Sequence, residues 1–162
     1  MTPDFRADRV GTALAGTNPT VLRRLRAGFA VIGDNQHLPG YCVLLSDTPG
    51  VDQLTDLPPE RQLVFLEDMA ILGRAVSAVC ARRDPDGFRR INLEIQGNTD
   101  AFLHAHVTPR YHDEPAAVRG WPAALWHWEN LVPAAPALDP SYDELRRELG
   151  AEIDHQLALA AD

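Results

Sequence analysis

Two histidines two residues apart, His104-Ala105-His106, follow a run of side-chain amides and carboxylates. Asn92, Glu94 and Gln96 alternate with Ile91, Leu93 and Ile95. After the turn Gly97-Asn98-Thr99-Asp100, His104, His106 and Thr108 alternate with Leu103, Ala105 and Val107. A period of two puts each set on one face of a strand. If both apolar faces cover the same helix, both polar faces point to one open side, and a single sheet surface displays Asn92, Glu94, Gln96, His104, His106 and Thr108 together. An imidazole near neutral pH can attack, bind metal or shuttle a proton. Three roles fit such a pair. The first is a structural one. The second is a metal site, with Glu94, His37 or His112 as third ligand. The third is nucleophilic catalysis at phosphorus, in which one ring attacks and the other hydrogen-bonds the phosphoryl oxygens.

The elements that must carry this surface lie on either side of it. Residues 29–32 and 41–46 are apolar runs of strand length joined by the eight-residue turn 33–40, which predicts an antiparallel pair. Residues 59–83 predict the longest helix. Pro59 suits the first helical position, where its missing N–H would be unpaired anyway, and Glu60 suits the positive end of the helix dipole. Leu63, Leu66, Met69/Ala70, Gly73, Val76 and Cys80 fall three and four apart, giving an apolar stripe to lay on the sheet. Arg82 and Arg83, with Arg89 and Arg90 beyond the stop at 84–87, read better as cations beside a helix C-terminus than as a nucleic-acid contact.

Residues 21–26, opened by Asn18-Pro19-Thr20 and ended by Gly28, predict a short helical stretch. Residues 1–16 are polar and Gly/Ala-rich and read as a flexible N-terminal arm. Past Tyr111 the chain turns rich in Pro, Ala and Trp. Leu145, Leu149, Ile153 and Leu157, four apart, then predict a final helix that docks onto the body or a partner subunit. Trp126-His127-Trp128 reads as an aromatic anchor for this tail, or else as a stacking platform for a base. The expected division is an arm at 1–16, a domain at 17–112 and an extension at 113–162. The expected fold class is α+β, with about five antiparallel strands and the long helix packed on one face.

Composition narrows the chemistry. At 162 residues and 45% hydrophobic the chain is most simply one domain with a real core. The net charge is −8 and all 15 basic residues are arginines. Without lysine, Schiff-base chemistry and the lysine of a phosphate-binding P-loop are excluded. An acidic balance argues against a nucleic-acid partner, which requires a basic stripe. A phosphate site here must work through local hydrogen-bond donors and a few arginines. Cys42 and Cys80 are expected as buried thiols, and no Cys-x-x-Cys offers a structural zinc site. The N-terminal residues have no apolar signal core, and no stretch approaches the roughly 18 apolar residues of a membrane span, so the expectation is a cytoplasmic protein with no membrane partner.

The string Asn92-x-Glu94-x-Gln96-Gly97-Asn98, five residues, then His104-x-His106-x-x-Pro109-Arg110-Tyr111 resembles the active-site sequence of the histidine-triad (HIT) family. The order strand, Leu38-Pro-Gly-Tyr41 turn, strand, long helix, strand pair resembles it too, over residues 18–111. His104 matches the family's nucleophile and His106 its last histidine. Asn98 matches the polar turn residue at the phosphate, and Asn92 an upstream amide. Two positions depart from the pattern. Phe102 replaces the first histidine, as in bacterial proteins resembling diadenosine polyphosphate hydrolases. Gly33 stands where the family often holds the ribose with Asp or Asn, a part that falls to neighbouring Asp34 or Asn35.

The resemblance implies a homodimer that takes a nucleotide and needs neither metal nor cofactor. His104 and His106 are the catalytic pair, and Asn92, Gln96, Asn98, Asp34 and Arg110 are the substrate-binding candidates, Arg110 for the outer phosphates. It implies hydrolysis or transfer at the α-phosphate through a nucleotidyl-histidine, with dinucleoside polyphosphates first, nucleoside phosphoramidates as the alternative, and a nucleotide binder with little catalysis as a second class. A carbonyl at Phe102 would still hold His104 in the attacking tautomer.

Overall fold

The computed structural model describes residues 4–123, 126 and 139–161. Its centre is a five-stranded antiparallel sheet in the order β1-β2-β3-β5-β4, formed by Val21–Arg24, Gly28–Ile32, Cys42–Ser46, Phe88–Glu94 and His104–Tyr111 for β1 to β5. The fold class is therefore α+β, as the periodicities predict.

One face of the sheet is sealed by α2, Pro59–Arg83, whose bounds coincide with the expectation. Its buried stripe is wider than predicted and rotated. Phe65, Leu72, Ala75, Val76 and Val79 are fully enclosed, while Leu63 at the outer edge is 69% exposed. The extra width arises because α2 is covered on two sides, by the sheet and by the C-terminal helix α3, Asp143–Leu159. Leu145, Leu149 and Ile153 are buried there as expected. Arg82 and Arg83 do not cap a solvated turn but pair with Glu152 and Glu148 of α3. Cys42 and Cys80 are free, buried thiols.

Two local expectations are corrected. Residues 21–24 form strand β1 rather than a helix. The Asn18 side chain accepts from the amide and hydroxyl of Thr20 and turns the chain into extended geometry. A run this short cannot repay helix nucleation, whereas pairing with β2 satisfies its backbone at once.

Residues 5–14 are not a loose arm. They form a short turn, Phe5–Ala7, and a helix α1, Arg9–Leu14, capped by Asp8. Ala13 of α1 packs with Phe29, Val31 and Leu45 on the sheet face opposite α2. Arg6 and Arg9 reach Asp34. The arm is thus a partial cover for the second face, and the histidines lie beside it.

Candidate functional site

Strand β5 runs between β3 and β4, so its side chains sit at the middle of the sheet. The register sets His106 opposite Glu94 on β4 and Val43 on β3, and His104 opposite Leu45. Both imidazoles share the face that α1 partly covers, with ring centroids 4.9 Å apart and planes at 79°. His104 is only 6% exposed, yet both rings line a cavity of about 180 Å³. Val31, Val43, Leu45 and Phe102 make the cavity apolar, and Arg9, Asp34, Asn35 and Asp100 give it a polar rim.

The Phe102 carbonyl lies 2.8 Å from His104 Nδ1. A carbonyl only accepts, so Nδ1 carries the proton and Nε2 keeps its lone pair. The phenyl ring of Phe102 lies 5.0 Å from the His104 ring, centroid to centroid. Phe102 thus orients His104 through its backbone carbonyl.

His106 is oriented from another strand. The Tyr41 hydroxyl is 2.6 Å from His106 Nδ1, and the two rings are nearly parallel. Burial, together with the fields of Cys42 and Asp34, pushes the phenol well above its ordinary pKa, so it stays protonated. His106 is pushed down to about 4, by burial first and then by His104, against a small opposing pull from Asp100. A neutral ring accepting the phenol proton at Nδ1 presents Nε2–H as a donor. The site therefore holds one imidazole with a free lone pair beside another with a free N–H.

Local chain geometry holds Tyr41 in place. The Gln36 side chain binds the carbonyls of Gly33 and Tyr41 and the amide of Gly40. Gly40 has φ +99°, and a Cβ there would lie 2.5 Å from Cys80 Sγ. At Gly33 a Cβ would meet the Tyr41 ring at 2.2 Å. The Tyr41 ring occupies the space that a side chain at position 33 would need.

A second cavity, about 210 Å³, opens on the far side of His106 and shares His106, Tyr41 and Asn35 with the first. It adds His37, Leu38, Glu94, Thr108, Ala123 and Trp126. A larger cavity of about 460 Å³, beside the C-terminal end of α2, includes neither His104 nor His106.

Of the residues expected at the site, His104, His106 and Asp34 meet at the first cavity. Asp34 is engaged by Arg9 Nη2 at 2.5 Å and Arg6 Nε at 3.1 Å, and although burial pushes its pKa up, the two guanidiniums outweigh this and hold it low. Asn92 sits on the same sheet face, opposite Thr108, but lines neither cavity beside the histidines, and Gln96 lies past the end of β4. Asn98 is exposed in the turn and lines neither of them.

Arg110 shares the histidines' parity but is buried, gripped by both oxygens of fully buried Glu114 and by the carbonyl of Arg119, and it lines neither cavity beside the histidines. Trp126 is buried against Arg110 at 5.8 Å, an anchor that also walls the second cavity. His127 and Trp128 lie outside the described residues. Among the described residues no group of three His, Cys, Asp or Glu side chains is placed to hold a metal ion, and His112 is exposed past the end of β5. Tyr41 and Arg9 escaped sequence reasoning, since nothing in their spacing announces a partner 65 or 25 residues away.

No protein-family model and no curated protein matches the sequence. Solved structures do match in shape. A histidine triad protein from Sinorhizobium meliloti aligns over 96% of both chains with TM-score 0.66 and 18% identity. One from Marinobacter aquaeolei aligns over 84% of this chain and 89% of its own, with TM-score 0.66 and 20% identity. A hypothetical histidine triad nucleotide-binding protein from Sulfolobus tokodaii aligns over 90% and 91%, with TM-score 0.62 and 11% identity. The chain has the histidine triad fold.

Proposed function

We propose that this protein hydrolyses or transfers nucleotides at the α-phosphate through a nucleotidyl-histidine intermediate. The observation that carries this is the tautomer lock on His104, whose Nδ1–H is held by the Phe102 carbonyl while its ring lines an apolar-walled cavity of about 180 Å³. The lone pair of Nε2 attacks phosphorus in line. The bond to the leaving group breaks, and that group departs with the bonding pair and takes a proton from solvent. The neutral His106 donates its Nε2–H to a phosphoryl oxygen as charge shifts there, a preorganised contact of the kind that carries much of many barrier reductions. Water then displaces His104, forming a P–O bond, returning the electron pair to nitrogen and releasing a proton. The apolar walls at Val31, Val43, Leu45 and Phe102 suit a base, and the nucleotide-binding neighbour from Sulfolobus tokodaii supports the ligand class.

Dinucleoside polyphosphates are the first substrates to test. Nucleoside phosphoramidates are a second reading favoured by one observation: Arg110, the cation expected at the outer phosphates, is sealed against Glu114. Single-turnover incubation with an α-labelled substrate should trap label on the wild-type protein. His104→Ala should abolish label and lower turnover about a thousandfold or more. A protein whose melting temperature rises with nucleotide but which never carries label is a binder instead.

A homodimer belongs to the same proposal. Strand β4 is an edge strand that carries Leu93, with Ile95 just past its end, 40% and 38% exposed, and a second copy adding to that edge would cover them.

A further inference from the structure

We infer that the cavity on the far side of His106 receives the leaving group and that Glu94 makes it selective for a leaving group ending in a cation, such as an alkylammonium. This rests on the displacement at His104 proposed above. In-line attack sends the leaving group directly away from the nucleophile. His104 lines only the first cavity, whereas His106 and Tyr41 line both. A phosphorus atom held over the two rings, with its nucleoside in the first cavity, therefore points its departing substituent into the second.

The charge there is set by which ion pairs are closed. Asp34 is neutralised by Arg9 and Arg6, and Glu114 by Arg110. Glu94 sits opposite His106 in the register and lines the second cavity, and among the described residues it has no ion pair. Residues 1–3, 124–125 and 127–138 contain no arginine or lysine that could serve it. Arg110 is close enough to feel the field of Glu94, but its guanidinium hydrogen bonds go to Glu114 and Arg119. A half-buried carboxylate in this position attracts an ammonium and repels a polyphosphate tail, with little screening by salt inside the cavity, so of the two substrate classes proposed above it favours the phosphoramidates. The remaining walls suit a short spacer: Leu38 and Ala123 are apolar, Thr108, Asn35 and His37 offer polar groups, and Trp126, whose ring already faces the Arg110 guanidinium at 5.8 Å, adds an aromatic wall.

The test uses three adenosine 5′-phosphoramidates of equal chain length, ending in an ammonium, a hydroxyl or a carboxylate. In each the P–N bond breaks, and the amine leaves with the bonding pair and takes up a proton. For the wild type, kcat/KM should fall in the order ammonium, hydroxyl, carboxylate, by about tenfold per step. Glu94→Gln should collapse the ammonium-to-hydroxyl ratio to near one and raise the relative rate of the carboxylate compound. Equal rates on all three in the wild type, or a Glu94→Gln variant that slows all three by one common factor, overturn the inference while leaving the His104 displacement standing. Turnover of the hydroxyl compound that survives His104→Ala overturns the displacement itself, and the subsite falls with it.

Discussion

The two arginine–carboxylate pairs that flank the histidines differ in what they seal. At the α1 end, Arg9 and Asp34 are both about a quarter exposed and line the first cavity. At the other end, Arg110 and Glu114 are buried, bridged by two side-chain bonds and locked further by the Tyr111 amide and the Arg119 carbonyl. The first pair remains accessible to a ligand. The second closes residues 114–119 onto the sheet, and Glu94 in the neighbouring cavity has no ion pair among the described residues. The character of each half of the groove follows from how completely its arginine is enclosed, not from arginine count.

Breaking the sealed pair should have the largest effect on stability. Glu114→Ala leaves Arg110 buried and unpaired, a loss of about 3–5 kcal/mol that thermal denaturation should read as a fall of about 10 °C. The double change Arg110→Met with Glu114→Leu should cost much less, because no orphaned charge remains. Arg9→Ala, at the accessible pair, should cost at most about 1 kcal/mol, while KM for nucleotide rises. Similar melting temperatures for Glu114→Ala and Arg9→Ala would erase the distinction between the two ends.

Between those ends, Tyr41→Phe tests the orientation of His106. Loss of the phenol proton at Nδ1 should lower kcat about 10- to 100-fold. It should also move the acid limb of the pH–rate profile upward, since a donor at Nδ1 favours the neutral ring. A rate loss with an unmoved acid limb would make Tyr41 a packing residue.

A separate effect lies in the pH dependence of stability. Unfolding returns His106 from about 4 to its ordinary value near 6.5, so within this window the unfolded chain binds the extra proton. Stability should therefore decline as pH falls from about 6.5 to about 4, with no further loss from this group below that. His106→Gln should flatten that part of the slope.

Much of this architecture is written in local pattern. The helix at 59–83 follows from proline at its start, Asp84 and Pro85 at its end and a stripe between, all features a single segment carries. The shared face of His104 and His106 follows from the two-residue period of β5, which no packing partner can change without flipping every side chain of the strand. The Phe102 carbonyl is within reach of His104 for the same local reason.

What tertiary structure decided depends on groups distant in sequence. β1 is extended because β2 offers it hydrogen bonds that an isolated short run lacks. The arm at 5–14 packs because Asp34 and the apolar patch at Phe29, Val31 and Leu45 await it. Arg110 could not be told from a phosphate ligand until Glu114 closed on it, and Tyr41 had no visible role until the turn at Gly40 brought its hydroxyl to His106. Periodicity states which face a side chain takes, but the free energy of a charge or a hydrogen bond depends on what stands opposite, and only the folded chain supplies that.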